Sequence, residues 1–216
     1  MSNQELEQSV ADELAWDPKI DSSTIVVSAD GGTITLRGTV GSFRQKREAQ
    51  KAAERVHGVS FVENDLTVRI LTEHRKEDAE LRRDVLQALT LDAMVPKTVD
   101  ASVRDGFVTL TGTTDWQYQR DEAEFVAGNV PGVGGVENDV FLTSPTPYPE
   151  DVEDSIKRAF QRNAKVDADN VGVETLNGTA ILTGTVRSWA ERDSAVDAAW
   201  AAPGVTDVED RLHVVY

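Results

Sequence analysis

One helix-sized segment of this 216-residue chain contains a row of positive charges. Its members follow one another at spacings of three, four and four residues, which places them on a single face of an α-helix, with Lys46 beside that face. This basic row consists of Arg44, Arg47, Lys51 and Arg55. Such a row can bind anionic groups, and each charge close to an anionic membrane contributes about 1 kcal/mol. A row of this kind can also be no more than a solvated helix face.

The basic row is unusual because the chain as a whole is acidic. Its formal net charge is −16, from 38 acidic and 22 basic residues. This balance argues against general nucleic-acid binding, which needs a basic surface to contact phosphates. The absence of cysteine excludes disulfides and thiolate chemistry. The sequence also lacks an apolar stretch of transmembrane length.

Bulky aromatic residues stand next to the basic row and at comparable places further along the chain. They are Phe43, Trp116 and Trp189. Aromatic rings can insert at a lipid interface, but a ring beside a helix start more often folds back over the first turn. We therefore expect these residues mainly to pack, and we expect the same of Trp16 and Trp200.

The sequence has no recognisable catalytic motif. Its three histidines lie at unrelated positions, and no spacing matches a histidine metal site, a Gly-x-Ser-x-Gly elbow or a phosphate-binding loop. The glycine-rich segment 132–135 precedes a predicted strand, so it lacks the helix N-terminus that binds phosphate. Recurring carboxylates at Glu63, Glu137 and Glu209 suit a hard cation but define no coordination shell. We expect a non-enzymatic protein with no cofactor and no metal site.

The basic row belongs to a unit that the chain repeats three times. Val-Glu-Asn-Asp-Leu at 62–66 returns as Val-Glu-Asn-Asp-Val at 136–140 and as Val-Glu-Asp-Arg-Leu at 208–212, at offsets of 74 and 72 residues. A Gly-Thr pair and a Gly-Val pair keep the same offsets. Three anchors in register over three copies indicate homologous modules. We place the modules at residues 1–70, 71–144 and 145–216.

The pattern of each module is typical of helix, strand, strand, helix, strand. An apolar residue at every fourth position, such as Leu6, Val10 and Leu14, predicts the first helix. Two alternating stretches then meet at Gly-Gly, Asp-Gly or Asn-Gly, which is the signature of a hairpin. A helix with alanines on one face follows, ends at the Gly-Val pair, and precedes a last strand. We predict an α+β fold of three tandem αββαβ modules, each with two helices on one face of a three-stranded mixed sheet.

Two local features refine this prediction. Ser42 with Gln45, and Ser188 with Glu191, have the spacing of a capping box at the start of the second helix. The glycines of the Gly-Thr pairs are interpreted as structural, because a glycine at the end of a hairpin marks a close backbone approach. These glycines are Gly38, Gly112 and Gly184.

The joints between modules differ in composition. Residues 71–80 contain no helix breaker and can continue into the next helix, whereas residues 143–150 contain three prolines and are predicted to form an extended spacer. The first residues of the chain are polar and acidic, unlike a secretory signal. We therefore expect a cytoplasmic protein, or a periplasmic one if a leader has been removed.

The order of elements and the repeated motifs resemble the BON domain, a family named for bacterial osmotically inducible and nodulation proteins. The resemblance rests on the strand at Val108–Gly112, the helix that ends in Gly-Val and the Val-Glu-Asn-Asp motif. It covers nearly the whole chain in three copies. It implies a non-enzymatic bacterial protein connected with osmotic or envelope stress, from a family proposed to bind phospholipid surfaces. The family's glycine corresponds to Gly38, Gly112 and Gly184.

The three copies differ most at the basic row. The equivalent positions are Tyr118, Asp121, Phe125 and Asn129 in the second module, and Ala190, Asp193, Asp197 and Ala201 in the third. Because only the first copy is basic, we expect it to bind an anionic phospholipid surface. The candidate residues are Arg44, Lys46, Arg47, Lys51 and Arg55. The row can instead receive an acidic neighbouring module, and the protein as a whole can act as a protein–protein adaptor or a cation-responsive osmotic scaffold.

Overall fold

The computed structural model describes residues 1–70, 75–143 and 152–215. The chain forms two compact units. One comprises Met1–Gly112 and Arg120–Phe141, and the other comprises Thr113–Gln119 and Leu142–Tyr216. The first module and most of the second therefore lie in one unit.

Every module has the predicted order of elements. The first consists of α1 (Asn3–Trp16), a 3₁₀ turn (Ser22–Thr24), β1 (Ile25–Asp30), β2 (Thr33–Val40), α2 (Phe43–Glu54) and β3 (Phe61–Val68). The second consists of α3 (Asp78–Leu91), β4 (Asp100–Arg104), β5 (Phe107–Thr114), α4 (Gln117–Gly128) and β6 (Gly135–Leu142). The third consists of α5 (Val152–Arg162), β7 (Val171–Leu176), β8 (Thr179–Val186), α6 (Trp189–Trp200) and β9 (Asp207–Val214).

Each module contains its own three-stranded sheet, with the second strand in the centre. In the first module β1 runs antiparallel to β2, whereas β2 and β3 are parallel and pair from Thr33 with Phe61 to Val40 with Val68. The third module repeats both pairings. A parallel pair needs a crossover, which α2 and α6 provide. The predicted α+β fold with mixed sheets is confirmed, and the strand order, which the sequence left open, is now defined.

The hairpins turn where the Gly-Gly, Asp-Gly and Asn-Gly pairs predict. Gly31, Asp105 and Asn177 have φ angles of 56°, 52° and 51°, the left-handed conformation that these residue types tolerate. The β1–β2 and β7–β8 ladders continue up to these turns. The turn residues therefore mark where the first two strands of each module meet.

Each module buries a separate core between its helices and its sheet. In α1 the predicted stripe of Leu6, Val10 and Leu14 is buried. Trp200 packs against the third core as expected. The expectation for Trp16 is wrong, because its side chain is 83% exposed. It lies two residues beyond Leu14, about 200° around the helix from the buried stripe.

The joints fall largely outside the described residues. This applies to residues 71–74 of the first joint and to residues 144–151, which contain nearly all of the predicted extended spacer. Residues 75–77 are not helical, and α3 begins at Asp78.

Candidate functional site

The basic row lies on α2, whose first turn is capped by Ser42. The Ser42 hydroxyl accepts a hydrogen bond from the backbone N–H of Gln45 at 3.2 Å. The Gln45 side-chain oxygen accepts one from the backbone N–H of Gly41 at 3.0 Å. In a standard capping box the side chain of Gln45 would accept from the backbone N–H of Ser42 itself. Here it accepts from the residue before Ser42. The alanines of α2 are fully buried against the sheet, so the basic row is on the opposite face. They are Ala49, Ala52 and Ala53.

Arg47, near the middle of the basic row, binds the second module. Its Nη2 donates a hydrogen bond to Oδ1 of Asn129 at 3.0 Å, and its Nη1 donates to the carbonyl oxygen of Glu124 at 3.5 Å. The guanidinium also lies 5.4 Å from the ring centre of Phe43 and 5.1 Å from that of Phe125, within reach of a cation–π interaction. Burial in this contact lowers the pKa of Arg47, although an arginine remains charged.

A glycine in α4 makes this contact possible. A Cβ atom at Gly128 would lie 2.9 Å from Cδ1 of Phe43 and 3.1 Å from Nη1 of Arg47. Phe43 is half-buried and packs against the core of the second module. The expectation that Phe43 packs therefore agrees with its position, but it packs against the neighbouring module. Phe43 and Arg47 together form what we call the docking pair.

Arg55, at the C-terminal end of the row, forms ion pairs inside its own module. Its Nε is 2.9 Å from Oε1 of Glu13, and its Nη2 is 3.1 Å from Oδ2 of Asp17. The Asp17 side chain is only 8% exposed. A hydrogen bond from the backbone N–H of Lys19 is the main factor that lowers the pKa of Asp17, and Arg55 lowers it further. Two carboxylates therefore compensate the charge of Arg55.

The other three candidate cations differ from Arg55 in their surroundings. Arg44 and Lys51 are exposed and Lys46 is half-buried. In the part of the chain that the structure describes, none of the three forms a salt bridge. We call Arg44, Lys46 and Lys51 the free cations. At about 100° per residue, Arg47 lies between Lys51 on one side and Lys46 on the other.

The two tryptophans that resemble Phe43 in position are less informative. Trp116 and Trp189 are both half-buried. The guanidinium of Arg192 lies 4.6 Å from the Trp189 ring centre. Packing therefore stays the prediction for these two residues, and insertion at a lipid interface stays the alternative.

The repeated Val-Glu-Asn-Asp motif connects the last strand to the second helix. Asn64 donates a hydrogen bond to the carbonyl oxygen of Lys46 at 2.9 Å and accepts one from the backbone N–H of Leu66 at 3.3 Å. Asn138 has the same role in the second module, where it donates to the carbonyl oxygen of Arg120 at 3.0 Å. In the third module Asp210 replaces the asparagine and pairs with Arg192 at 2.7 Å. The recurrence of this motif thus has a structural cause.

The acidic members of the motif lie on the open face of the sheet. The Thr35 hydroxyl donates to Glu63 at 3.1 Å, and Asp65 pairs with Arg37 at 3.4 Å. Within residues 1–70, 75–143 and 152–215, no three histidine, aspartate or glutamate side chains are grouped as metal ligands.

The glycines of the Gly-Thr pairs meet the backbone of the preceding segment. Gly38, Gly112 and Gly184 have φ angles of 132°, 122° and 120°. A Cβ atom at any of them would lie 2.0 to 2.1 Å from a carbonyl oxygen. A close backbone approach is therefore present in all three modules, and it explains why no other residue type stands at these positions.

The comparison with known proteins identifies the family. The BON domain model matches residues 2–70, 77–142 and 150–216, so the chain belongs to the BON domain family. Osmotically-inducible protein Y of Escherichia coli (strain K12) is 38% identical over 126 residues. That alignment covers 56% of this chain and 63% of the relative, which is less than two thirds of its length.

Solved structures add little to this identification. Two structures of CdsD, a structural protein of the type III secretion system of Chlamydia trachomatis, are each 15% identical with a TM-score of 0.28. The alignment with the first CdsD structure covers 98% of this chain and 92% of the CdsD chain. The alignment with the second covers 100% of this chain and 100% of the CdsD chain. A likeness at this level supports no functional argument. Separately, none of the described helices is long and apolar enough to cross a membrane.

The residues of the second module that form the docking contact have only a weak signature in the sequence. Phe125 and Asn129 are positions at which the second module lacks the cations of the basic row, and the structure shows that they contact Arg47. Gly128 stands between them as the last residue of α4. Because glycine is common at helix ends, its presence there did not indicate a close approach by another segment.

Proposed function

We propose that this protein is a non-enzymatic stress-response protein that binds anionic phospholipid surfaces through the free cations of α2. The observation that supports this function is the state of Arg44, Lys46 and Lys51, which no salt bridge neutralises within the described residues. They lie together on one helix of a protein whose net charge is −16. Membership of the BON family and the similarity to Osmotically-inducible protein Y support the link with osmotic stress.

The expected affinity is modest. At about 1 kcal/mol per cation near an anionic membrane, three cations contribute roughly 3 kcal/mol, which is about a hundredfold in the binding constant. Because exposed charges are screened by salt, the interaction should weaken as ionic strength rises. Binding of this kind is suited to a reversible association that responds to the ionic conditions of the cell.

Vesicle co-sedimentation tests this proposal with the full chain. Wild type should sediment with vesicles that contain phosphatidylglycerol, and much less with pure phosphatidylcholine. The variant Arg44→Glu/Lys51→Glu should lose most of the binding, because it reverses two free cations. Arg83→Glu/Lys97→Glu is a matched control, since it makes the same charge change at two exposed positions outside the row. Equal losses in both variants, or no preference for phosphatidylglycerol, would exclude the proposal.

A protein–protein adaptor is the second candidate, and one surface of the first unit favours it. Phe107 is 61% exposed and lines an open groove of about 360 Å³. The groove is mainly apolar, with Phe43, Leu66 and Val136 also in its wall. Exposed apolar surface of this kind is common at protein interfaces. Binding of a protein partner that Phe107→Ser abolishes and Arg44→Glu/Lys51→Glu leaves intact, with no preference of the chain for phosphatidylglycerol vesicles, would favour this candidate.

A further inference from the structure

We propose that docking of the second module restrains membrane binding by the first, because α4 holds the docking pair away from the lipid. This inference rests on the proposed function and concerns the regulation of the same helix face. Phe43 and Arg47 are an aromatic residue and a cation one helical turn apart, a combination suited to a membrane interface. Both are engaged by α4.

The position of Arg47 makes this restraint effective. It lies between Lys51 and Lys46 around the helix, so the free cations stand on either side of the residue that α4 covers. While α4 is docked, a lipid surface can reach only the flanks of the cationic face. Release of α4 would join the free cations and the docking pair into one continuous face of four cations and an aromatic ring.

The bonds that hold Arg47 can be replaced by a lipid phosphate. Both of its hydrogen-bond acceptors, the Asn129 amide oxygen and the Glu124 carbonyl, are neutral, and the Glu124 and Glu48 carboxylates attract its charge without accepting a hydrogen bond from it. One of these bonds, at 3.5 Å, is beyond the usual range for an N–H···O hydrogen bond. A phosphate would offer charge-assisted hydrogen bonds, which are stronger than neutral ones. An anionic surface therefore competes with α4 for the same guanidinium.

Arg55 does not take part in this exchange. Its partners Glu13 and Asp17 belong to α1 and its C-terminal end, so they remain in place when α4 leaves. The proposed change is confined to the contact between α2 and α4. Both helices lie mainly within the first compact unit.

Two variants of the second module should open the contact without altering any cation of the basic row. Gly128→Ala places a methyl group within 3 Å of the Phe43 ring, and Gly128 has no positive φ angle that would exclude alanine. Phe125→Ala/Asn129→Ala removes one ring contact and one hydrogen bond. Hydrogen exchange of the α2 amides and circular dichroism would report opening and intact folding respectively.

Both variants should bind phosphatidylglycerol vesicles at least about fivefold more tightly than wild type, the effect of one added cation. Adding Arg47→Gln to either variant should abolish the gain. Opened but folded variants that bind no more tightly than wild type, or a gain that survives Arg47→Gln, would overturn the inference while the proposed function stands. If neither wild type nor the opened variants prefer phosphatidylglycerol to phosphatidylcholine, the proposed function itself fails.

Discussion

The glycine at the end of each hairpin is a residue whose side chain is excluded by geometry. At Gly112 the φ angle is 122°, and a Cβ atom would lie 2.1 Å from the carbonyl oxygen of Thr98. Both the backbone conformation and the space exclude other residues. No such steric constraint applies to the basic row. Its members differ from one another in the groups that their charged side chains contact. Some residues, such as Gly112, are therefore required for the module to fold, whereas others, such as the basic row, determine what its surface can bind.

Substitution of one such glycine should therefore destabilise its module. We expect Gly112→Ala to lower the free energy of unfolding by about 3 kcal/mol or more, from strained backbone and a steric clash. Thermal unfolding followed by circular dichroism measures the effect. Gly41→Ala is the control, because Gly41 has neither a positive φ angle nor a contact closer than 3.6 Å. Similar melting temperatures for the two variants would contradict this explanation.

Helix α2 contributes both to the stability of the first module and to the proposed membrane binding. Its alanine face rests on the sheet, its ends are attached through Ser42 and Arg55, and Arg47 connects it to α4. The helix, its cap and its basic face were predictable, because periodicity and capping spacing are local. The partners of Arg47 and Arg55 were not, because Asn129 and Glu13 lie far away in the sequence. Tertiary packing determines which cations of the basic row remain without a salt bridge in the described structure. The spacing of residues in the sequence does not predict this packing.

The attachment of α2 to α1 should make the first module sensitive to acid. The folded-state pKa of Asp17 is lowered, so its ionised form stabilises the fold at pH values above its ordinary pKa of about 4. This contribution is lost as the pH falls through the lowered pKa. Asp17→Asn should therefore lower the melting temperature at neutral pH but converge with wild type in acid. A difference that is independent of pH would show that the charge of Asp17 has no part in stability.

At the scale of the whole molecule, the threefold repeat explains the architecture. Sequence differences between the three copies explain why the basic row is found in the first module and not at the equivalent positions of the other two. Three modules share one topology, and the basic row of the first module stands in a chain whose net charge is −16. The three-module organisation was predictable because fixed offsets in a sequence report homology directly. Contact between the first two modules depends on Phe43, Arg47 and Gly128, which the repeats do not share. Only the structure could therefore reveal it.

Comparison of two adjacent members of the basic row tests the central claim most directly. Lys51 lies in the last turn of α2, and Arg55 directly follows the end of this helix. Of the two, only Arg55 forms salt bridges with carboxylates in the described part of the chain. The measurement is the affinity of Lys51→Gln and Arg55→Gln for phosphatidylglycerol vesicles, at a temperature where both are folded. We predict that Lys51→Gln weakens binding about fivefold and that Arg55→Gln leaves it unchanged. Equal losses, or a loss confined to Arg55→Gln, would contradict the division of the row into free and engaged cations.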